Sequence, residues 1–406
     1  MKSAPICECP ASSGEEHARC VFALEENDRV LTEQQTAIRD MARDFACREI
    51  TPFAADWDRR EHVPLDTLAR MGALGLMGVC VPAAWGGSGA DFVSYVLAME
   101  EIAYGDAGIA NMMAATNSPY NAAVLAYGTD TQKEKYLRPA ASGRELAAFL
   151  LSEPQVGSDA AGLATRAVRR GDHYVINGTK NFITSGQSAK LAMIVAVTDP
   201  AAGKNGISCF LARTGSAGYH VARLEKKLGH RTCDTCQIVL DGLRIPASDM
   251  LGEPGAGLRV ALSALDSGRI GVAAQSVGVA RAAFDAALAY ARVRVTFGKP
   301  LIEHQAIAFQ LAEMSTRIEA ARQLYLHAAR LKDSGGGSPK EASMAKLFAS
   351  EMAEEVTSAA IQIHGGYGFL NDYPVEKFYR DVRVFQIYDG PSEIQKMLIA
   401  RELAKG

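Results

Sequence analysis

The sequence predicts an α+β multidomain chain: an N-terminal α-helical domain, a central antiparallel β domain and a C-terminal helical bundle. Three observations carry this. Helical periodicity dominates to about residue 145, alternating segments with Gly- and Pro-containing turns follow to about residue 252, and long helical periods return after Gly257. A chain of 406 residues has room for two or three domains. The reading settles on three, over residues 29–145, 146–252 and 253–406, behind a frayed extension of residues 1–28.

Composition narrows the function classes. With 48% hydrophobic and 22% charged residues the chain is globular. Forty-three Lys+Arg against 46 Asp+Glu leave a net charge of -3, so no basic field exists to hold nucleic acid. The longest apolar run, Leu191–Val197, falls far short of the roughly 20 residues that span a bilayer, so no membrane is expected. Eight cysteines (Cys7, Cys9, Cys20, Cys47, Cys80, Cys209, Cys233 and Cys236) are too sparse for a disulfide scaffold and point to the cytoplasm. Glu8, Glu15, Glu16, Glu25, Glu26 and Asp28 argue against a signal or transit peptide.

The elements follow in order. Thr32 and Gln35 form a capping-box pattern, after which Ile38, Met41, Ala42, Phe45 and Ala46 share a helix face. Gly86–Gly89 is a loop, helical period resumes over Phe92–Ile102, and an Ala-rich helical stretch is expected over about Ala107–Tyr127. Asn177–Gly178 inside Tyr174–Ile183 predicts a β-hairpin turn. Leu191–Thr198, Ile207–Ala212 and Gln237–Leu240 read as strands. Ile307, Leu311, Met314, Ile318, Ala321, Tyr325 and Ala328 repeat at 4-3 spacing, the narrow seam of a bundle helix. Further helices are expected from about Lys340 to Ile363 and from Pro391.

Common catalytic machineries are missing. No stretch matches G-x-G-x-x-G, the Walker loop, G-x-S-x-G or H-E-x-x-H, and the eight histidines show no metal-ligand spacing, so no metal is expected. Cys233–Cys236 is a lone C-x-x-C, read as small residues entering a strand. Three segments carry candidate chemistry. Phe149–Asp159 places small hydroxyls and a glycine at a domain junction, suited to meet an anion or a ring edge, or to make a polar turn. Arg292–Lys299 with Glu303–Gln305 suits pyrophosphate recognition, or a solvated helix end. Gln362–Gly368, then Ile387–Gln395, sets Asp389 before a last helix, as an acid with a chemical role or a cap.

In order and wording these three segments resemble the acyl-CoA dehydrogenase family from about Leu31 to Arg401, and Leu265–Gln275 is most similar to the short-chain members. The resemblance implies a helical domain, a β-barrel-like domain and a four-helix-bundle-like domain, with FAD between the last two. It implies that Phe149, Leu151 and Ser152 line the isoalloxazine, that Gly157 and Ser158 meet cofactor or substrate phosphate, and that Phe182 and Thr184 cover the ring. Arg294, Thr296, Phe297, His304 and Gln305, with Gln362 and Gly366, are implied to reach FAD from a neighbouring subunit. Pro391 and Glu393 fall at further FAD-contact positions, and Pro391 replaces a hydroxyl residue common in the family. Asp266 and Arg269 match a pair near the CoA end, while Tyr388 and Gly390, with the helix around Asn111–Thr116, border the acyl pocket.

The resemblance makes Asp389 the base that takes the α-proton of an acyl-CoA while hydride leaves for flavin N5, where many members carry glutamate. It implies electron-transferring flavoprotein as acceptor and a homotetramer built of dimers sharing FAD sites. No acid occupies the family's alternative base position near Gly268. Asp91 is an acid of a kind that can serve such enzymes, and Glu100 and Glu101 are expected to face solvent or to pair structurally. Because a helix N-terminus favours carboxylate, basicity in Asp389 is expected to be switched on by burial under the bound acyl group. Asp389 and the Met112–Met113 pair favour short, branched or alicyclic acyl groups such as cyclohexanecarboxyl. A flavin oxidase resembling nitroalkane oxidases, and a non-catalytic FAD- and acyl-CoA-binding subunit, are the alternatives.

Overall fold

The computed structural model describes residues 31–337 and 339–405, and the extension expected over residues 1–28 lies outside them. The first helix begins where its capping chemistry dictates: Thr32 Oγ1 accepts from the Gln35 N–H at 3.2 Å, and Gln35 Oε1 accepts from the Thr32 N–H at 3.0 Å. Among the described residues before the sheet, the α-helices run in order α1 (Glu33–Phe45), α2 (Thr51–Arg60), α3 (Leu65–Ala73), α4 (Phe92–Gly105), α5 (Ala107–Ala115), α6 (Ala122–Tyr127), α7 (Asp130–Gln132) and α8 (Arg138–Ala141). The single helical stretch expected over Ala107–Tyr127 is broken at Ser118, whose φ of -152° and ψ of 118° are extended. A residue preceding proline, here Pro119, is pushed out of the helical region.

The middle domain holds β1 (Ala147–Leu150), β2 (Arg166–Arg170), β3 (His173–Thr184), β4 (Leu191–Val197), β5 (Ile207–Arg213), β6 (Tyr219–Leu224), β7 (Thr235–Pro246) and β8 (Met250–Leu251). They form one sheet in the order β6-β7-β3-β2-β4-β5-β8, with β1 added against β4. The sheet is mixed: most pairs are antiparallel as expected, but β1 and β2 each run parallel to β4. All seven residues of β4 are buried, which accounts for the unbroken apolar run.

Asn177–Gly178 is not a hairpin turn. It lies inside the 12-residue β3, where the pairing to β7 shifts register between Ile176 and Gly178. A Cβ on Gly178 would stand 2.4 Å from Thr165 Oγ1, and the Asn177 side chain accepts from the Gly242 N–H at 2.8 Å. The pair therefore serves a bulge and a close backbone approach. The true turn is Gly171–Asp172, between β2 and β3.

The C-terminal bundle contains α9 (Gly257–Val293), the short strands β9 (Val295–Thr296) and β10 (Lys299–Pro300), α10 (Gln305–Asp333), α11 (Pro339–His364), α12 (Val375–Val382) and α13 (Ser392–Leu403). Of the expected α10 seam, Leu311 through Ala328 are all buried and Ile307 is half-buried. Pro391 is the cap residue before α13 and not its first residue. Helix α9 packs against α4, α10 and α11. Glu100 and Glu101 do not face solvent: both are buried on α4, where Arg281 of α9 bonds both, Arg322 and Tyr325 of α10 bond Glu100, and Arg43 bonds Glu101.

Candidate active site

Helix α9 supplies the floor of the site. Gly268, Gly271 and Gln275 lie at i, i+3 and i+7, on one face of the helix. A Cβ at Gly268 would be 2.9 Å from Asp389 Oδ2, and one at Gly271 would be 3.1 Å from the Tyr95 hydroxyl. These two glycines thus make room for a carboxylate and a phenol. Tyr388 donates from its hydroxyl to Gln275 Oε1 at 3.2 Å.

Asp389 reaches this face from a strained turn. Its φ is 51° and that of Gly390 is 86°, two successive left-handed residues. Gln395 Nε2 donates to the Asp389 carbonyl at 3.2 Å and to the Gly390 carbonyl at 2.6 Å, and Lys346 Nζ donates to the Gly390 carbonyl at 2.8 Å. Among the described residues the Asp389 carboxylate accepts no hydrogen bond. Burial pushes its pKa up, while the nearby charges of Lys346 and Arg269 push it down; the net direction is upward. The protein's own surroundings thus already push it in the direction expected of a bound acyl group.

Three neighbouring polar groups are left unpartnered. Tyr95 Oη, Gln275 Nε2 and Arg269 Nε are buried without a hydrogen-bond partner among the described residues. Arg269 is buried and pairs with the half-exposed Asp266 one turn earlier. Asn111 Nδ2 lies 3.5 Å from Thr184 Oγ1 and 3.9 Å from Cys233 Sγ, tying α5 to the end of β3. Burial raises the Cys233 thiol to about 12, which suits an inert packing group.

The β-domain segments are pinned by a buried pair that the sequence reading missed. Lys180 Nζ donates to the Leu151 carbonyl at 2.9 Å and to Glu153 Oε1 at 2.9 Å. Glu153 also accepts from the Ala164 and Thr165 N–H groups. Ser152 accepts through its carbonyl from the Asn181 N–H at 2.9 Å. Phe149 and Ser152 are half-buried, Leu151 is buried, and Gly157 and Ser158 lie exposed beyond them. A register shift between Lys180 and Ile183, with Phe182 at φ 58°, turns the Phe182 ring outward, 66% exposed.

A second set of candidate residues gathers elsewhere. Arg294 caps the end of α9, its guanidinium 5.6 Å from the Tyr367 ring centre. Thr296 starts a tight turn through Phe297 (φ 50°) and Gly298 (φ 80°), and His304 Nε2 meets the Thr296 carbonyl at 3.1 Å. Gln305, Gln362 and Gly366 are exposed, and nothing lies within 4 Å of a Cβ built on Gly366. From Gly268 to Arg294 runs 26 residues of α9, about 39 Å of helix. Pro391 is half-buried at the α13 cap, and Glu393 is exposed in its first turn.

Asp91 lies apart from these groups. Its carboxylate caps α4 by accepting from the Ser94 N–H at 2.8 Å and also accepts from Gln35 Nε2 at 2.7 Å. Among the described residues no cluster of three or more His, Cys, Asp or Glu could hold a metal ion, and no helix is long and apolar enough to cross a membrane. The donor set fits FAD. An outward Phe182 ring, the unpartnered buried Ser185 Oγ and Asn181 Oδ1, and the open glycines Gly157 and Gly366 with Arg294 suit a flat ring and a pyrophosphate.

Comparison with known proteins identifies the family. Residues 32–144, 148–243 and 255–404 match the N-terminal, middle and C-terminal domains of acyl-CoA dehydrogenase. The chain is 43% identical over 376 residues to an acyl-CoA dehydrogenase of Bacillus subtilis, covering 93% of this chain and 99% of that one. It is 44% identical over 376 residues to a caffeyl-CoA reductase-Etf complex subunit of Acetobacterium woodii, covering 92% and 99%. The butyryl-CoA dehydrogenase structure from Megasphaera elsdenii superposes with a TM-score of 0.91 at 40% identity, over 92% of this chain and 99% of that chain. The protein belongs to the acyl-CoA dehydrogenase family, FAD-dependent oxidoreductases that act on CH–CH bonds.

Proposed function

We propose that the protein converts a short, branched or alicyclic acyl-CoA, of the cyclohexanecarboxyl type, to its 2,3-enoyl-CoA and passes the electrons to an electron-transferring flavoprotein. The observation that carries this is the Asp389 carboxylate, held without a hydrogen bond over Gly268 and pushed upward by burial. A carboxylate in that state is fit to take a proton and give it up again. Asp389 takes the α-proton, and its own backbone N–H steadies the oxygen of the developing enolate; one such donor is worth about 3–4 kcal/mol in acyl transfer. Bound FAD supplies the acceptor for the hydride equivalent that leaves the β-carbon.

Phe149, Leu151, Ser152, Phe182 and Thr184 face the flavin ring, Gly157 and Ser158 a phosphate, and Pro391 and Glu393 flank the cofactor at α13. Asp266 and Arg269 meet the CoA end. Tyr95, Tyr388 and Gln275 close the α9 face within 7 residues of Gly268, about 10 Å, which favours a short acyl group. Because about 39 Å of α9 separates Gly268 from Arg294, Arg294, Thr296, Phe297, His304, Gln305, Gln362 and Gly366 serve the FAD of a neighbouring subunit. Exposed Val293, Phe297, Phe309 and Phe369 supply an apolar surface for that contact, in at least a dimer and by family analogy a tetramer.

Residues 29–145, 146–252 and 253–406 are the working domains. The Etf-complex relative supports the electron acceptor, and the free cysteines among the described residues suit a cytoplasmic enzyme.

Anaerobic mixing with a panel of acyl-CoAs is expected to bleach the visible flavin band, and Asp389→Asn is expected to keep FAD while losing about 10²–10⁴-fold in turnover. Failure of every short, branched or alicyclic thioester to bleach the flavin would sink the reading. Hydrogen peroxide formed from nitroalkanes but not from acyl-CoAs would replace it with an oxidase, and unchanged turnover in the Asn variant would remove Asp389 from the chemistry.

A further inference from the structure

We propose that Lys346 is a positioning residue for this reaction, holding from inside the bundle the left-handed Asp389–Gly390 turn that aims the Asp389 carboxylate at α9. The proposal rests on the reading of Asp389 as the base. Lys346 lies on the buried face of α11 with Ala342, Ala345 and Ala349, and it is fully buried. Lysine is almost never buried without a carboxylate partner. Yet its hydrogen bond goes to a neutral carbonyl, that of Gly390, at 2.8 Å.

The turn needs such a fixture. A non-glycine residue at positive φ persists only where its surroundings over-determine it, and Asp389 stands at 51°. Lys346 and Gln395 both donate to the Gly390 carbonyl, and Gln395 also donates to that of Asp389. Two buried side chains from two helices thus anchor two successive carbonyls, and the side chain between them is left free for chemistry.

The ammonium has a second consequence. Asp389 faces Lys346 on α11, Arg269 on α9, Tyr95 on α4 and Tyr388 beside it, while Lys346 also feels Glu351 on its own helix and Glu393 on α13. Of these, the two cations favour the ionised base. Burial lowers Lys346 to about 8, still well above the ordinary carboxylate range in which Asp389 would ionise. Removing that charge moves the ionisation of Asp389 to higher pH, and with it the acidic limb of kcat.

The test uses the FAD-loaded enzyme with two variants. Lys346→Met fills the same space with neither charge nor donor, and Lys346→Gln keeps a donor without the charge. For the Met variant, kcat at neutral pH is expected to fall about 10²-fold with KM nearly unchanged and FAD content intact. Its acidic limb is expected to move up by about one pH unit. The Gln variant is expected to regain part of kcat while keeping the displaced limb. A Met variant with the parent's kcat and limb would overturn the proposal, as would equal losses in both variants with an unmoved limb. Asp389→Asn separates the two readings. If it is inactive while Lys346→Met behaves as the parent, only the Lys346 proposal fails; if it is fully active, the base assignment falls and takes the proposal with it.

Discussion

Helix α9 meets carboxylates in two places, the buried Glu100 and Glu101 and the half-buried Asp389, and treats them in opposite ways. Where it passes α4 and α10, Glu100 and Glu101 are saturated: Arg281 bonds both, Arg322 and Tyr325 complete Glu100, and Arg43 grips Glu101 at 3.2 and 3.0 Å. Burial acts to raise Glu101, but the guanidiniums of Arg281 and Arg43 more than reverse it and hold the carboxyl at about 2. Thirteen residues earlier, Asp389 lies over Gly268 with no hydrogen bond, and the more distant Lys346 and Arg269 offset burial only in part. The first arrangement fixes a charge and pins four helices, α1, α4, α9 and α10. The second leaves a proton exchangeable. In this molecule chemistry is expected where pairing is withheld, and burial alone does not mark the site.

The largest test of that contrast is Arg281→Met. It leaves two buried carboxylates short of a partner, and such losses cost about 3–5 kcal/mol. Denaturant unfolding of the holoenzyme should show that loss, while the acidic limb of kcat stays in place. A variant as stable as the parent would mean that the Glu100–Glu101 cluster holds nothing together.

The next test is pH. The folded pKa of Glu101 lies below the ordinary 4.5, so its stabilisation is fully present above that value and is lost as pH falls through about 2. That stabilisation is lost as pH falls below the ordinary carboxylate range. Glu101→Gln should flatten that part of the stability curve. Asp389 has the opposite sign: its folded pKa is raised, so the ionised form weakens the fold as pH rises above 3.8. Asp389→Asn should therefore be more stable than the parent at neutral pH, and Glu101→Gln less stable. Equal signs in the two variants would break the comparison.

The contrast also explains what could be read from the sequence. Periodicity located the long helices because their buried stripes are continuous, as with Leu311 to Ala328 on α10. Asp389 was singled out by its segment and by the family resemblance, and Asp389-Gly390 is itself a turn signal for the left-handed residues found there. The same kind of signal misled at Asn177–Gly178, because a bulge and a hairpin ask for the same residues and only the Thr165 backbone across the sheet decides between them. Lys346, Lys180 and Arg281 were not legible. Each is a charged residue on a buried face, and its partner is 27 residues or more away in the chain. No local pattern encodes such a pairing. Tyr95 was missed for a related reason: on α4 it reads as one more apolar core residue, and its hydroxyl matters only because Gly271 leaves space above it.

A smaller effect is expected at the floor of the site. Gly268→Ala places a methyl 2.9 Å from Asp389 Oδ2. In the interior of a long helix the change should add about 0.5–1 kcal/mol of stability through propensity. Displacing the base should cost about tenfold or more in kcat. Gain in stability with loss in rate is the outcome that sharpens the contrast. Loss of stability instead would show that the glycine serves helix packing and not the carboxylate.

The smallest expected effect falls on Arg43→Met, and it separates burial from partner number. Arg43 and Arg281 both bond Glu101, but the Arg43 side chain is 33% exposed and that of Arg281 is 3% exposed. Water can replace much of what Arg43 donates, and its pair with Glu101 is screened on the open side. Arg281 has no such substitute. Unfolding of Arg43→Met should therefore reveal a loss of about 1 kcal/mol or less, with the acid-sensitive part of the stability curve moved to slightly higher pH because one of the two cations on Glu101 is gone. If Arg43→Met costs as much as Arg281→Met, the saturated region owes its strength to the number of partners. The two carboxylate sites on α9 would then differ only in how many cations each has collected, and depth within the protein would drop out of the account of why Asp389 is the one free to exchange a proton.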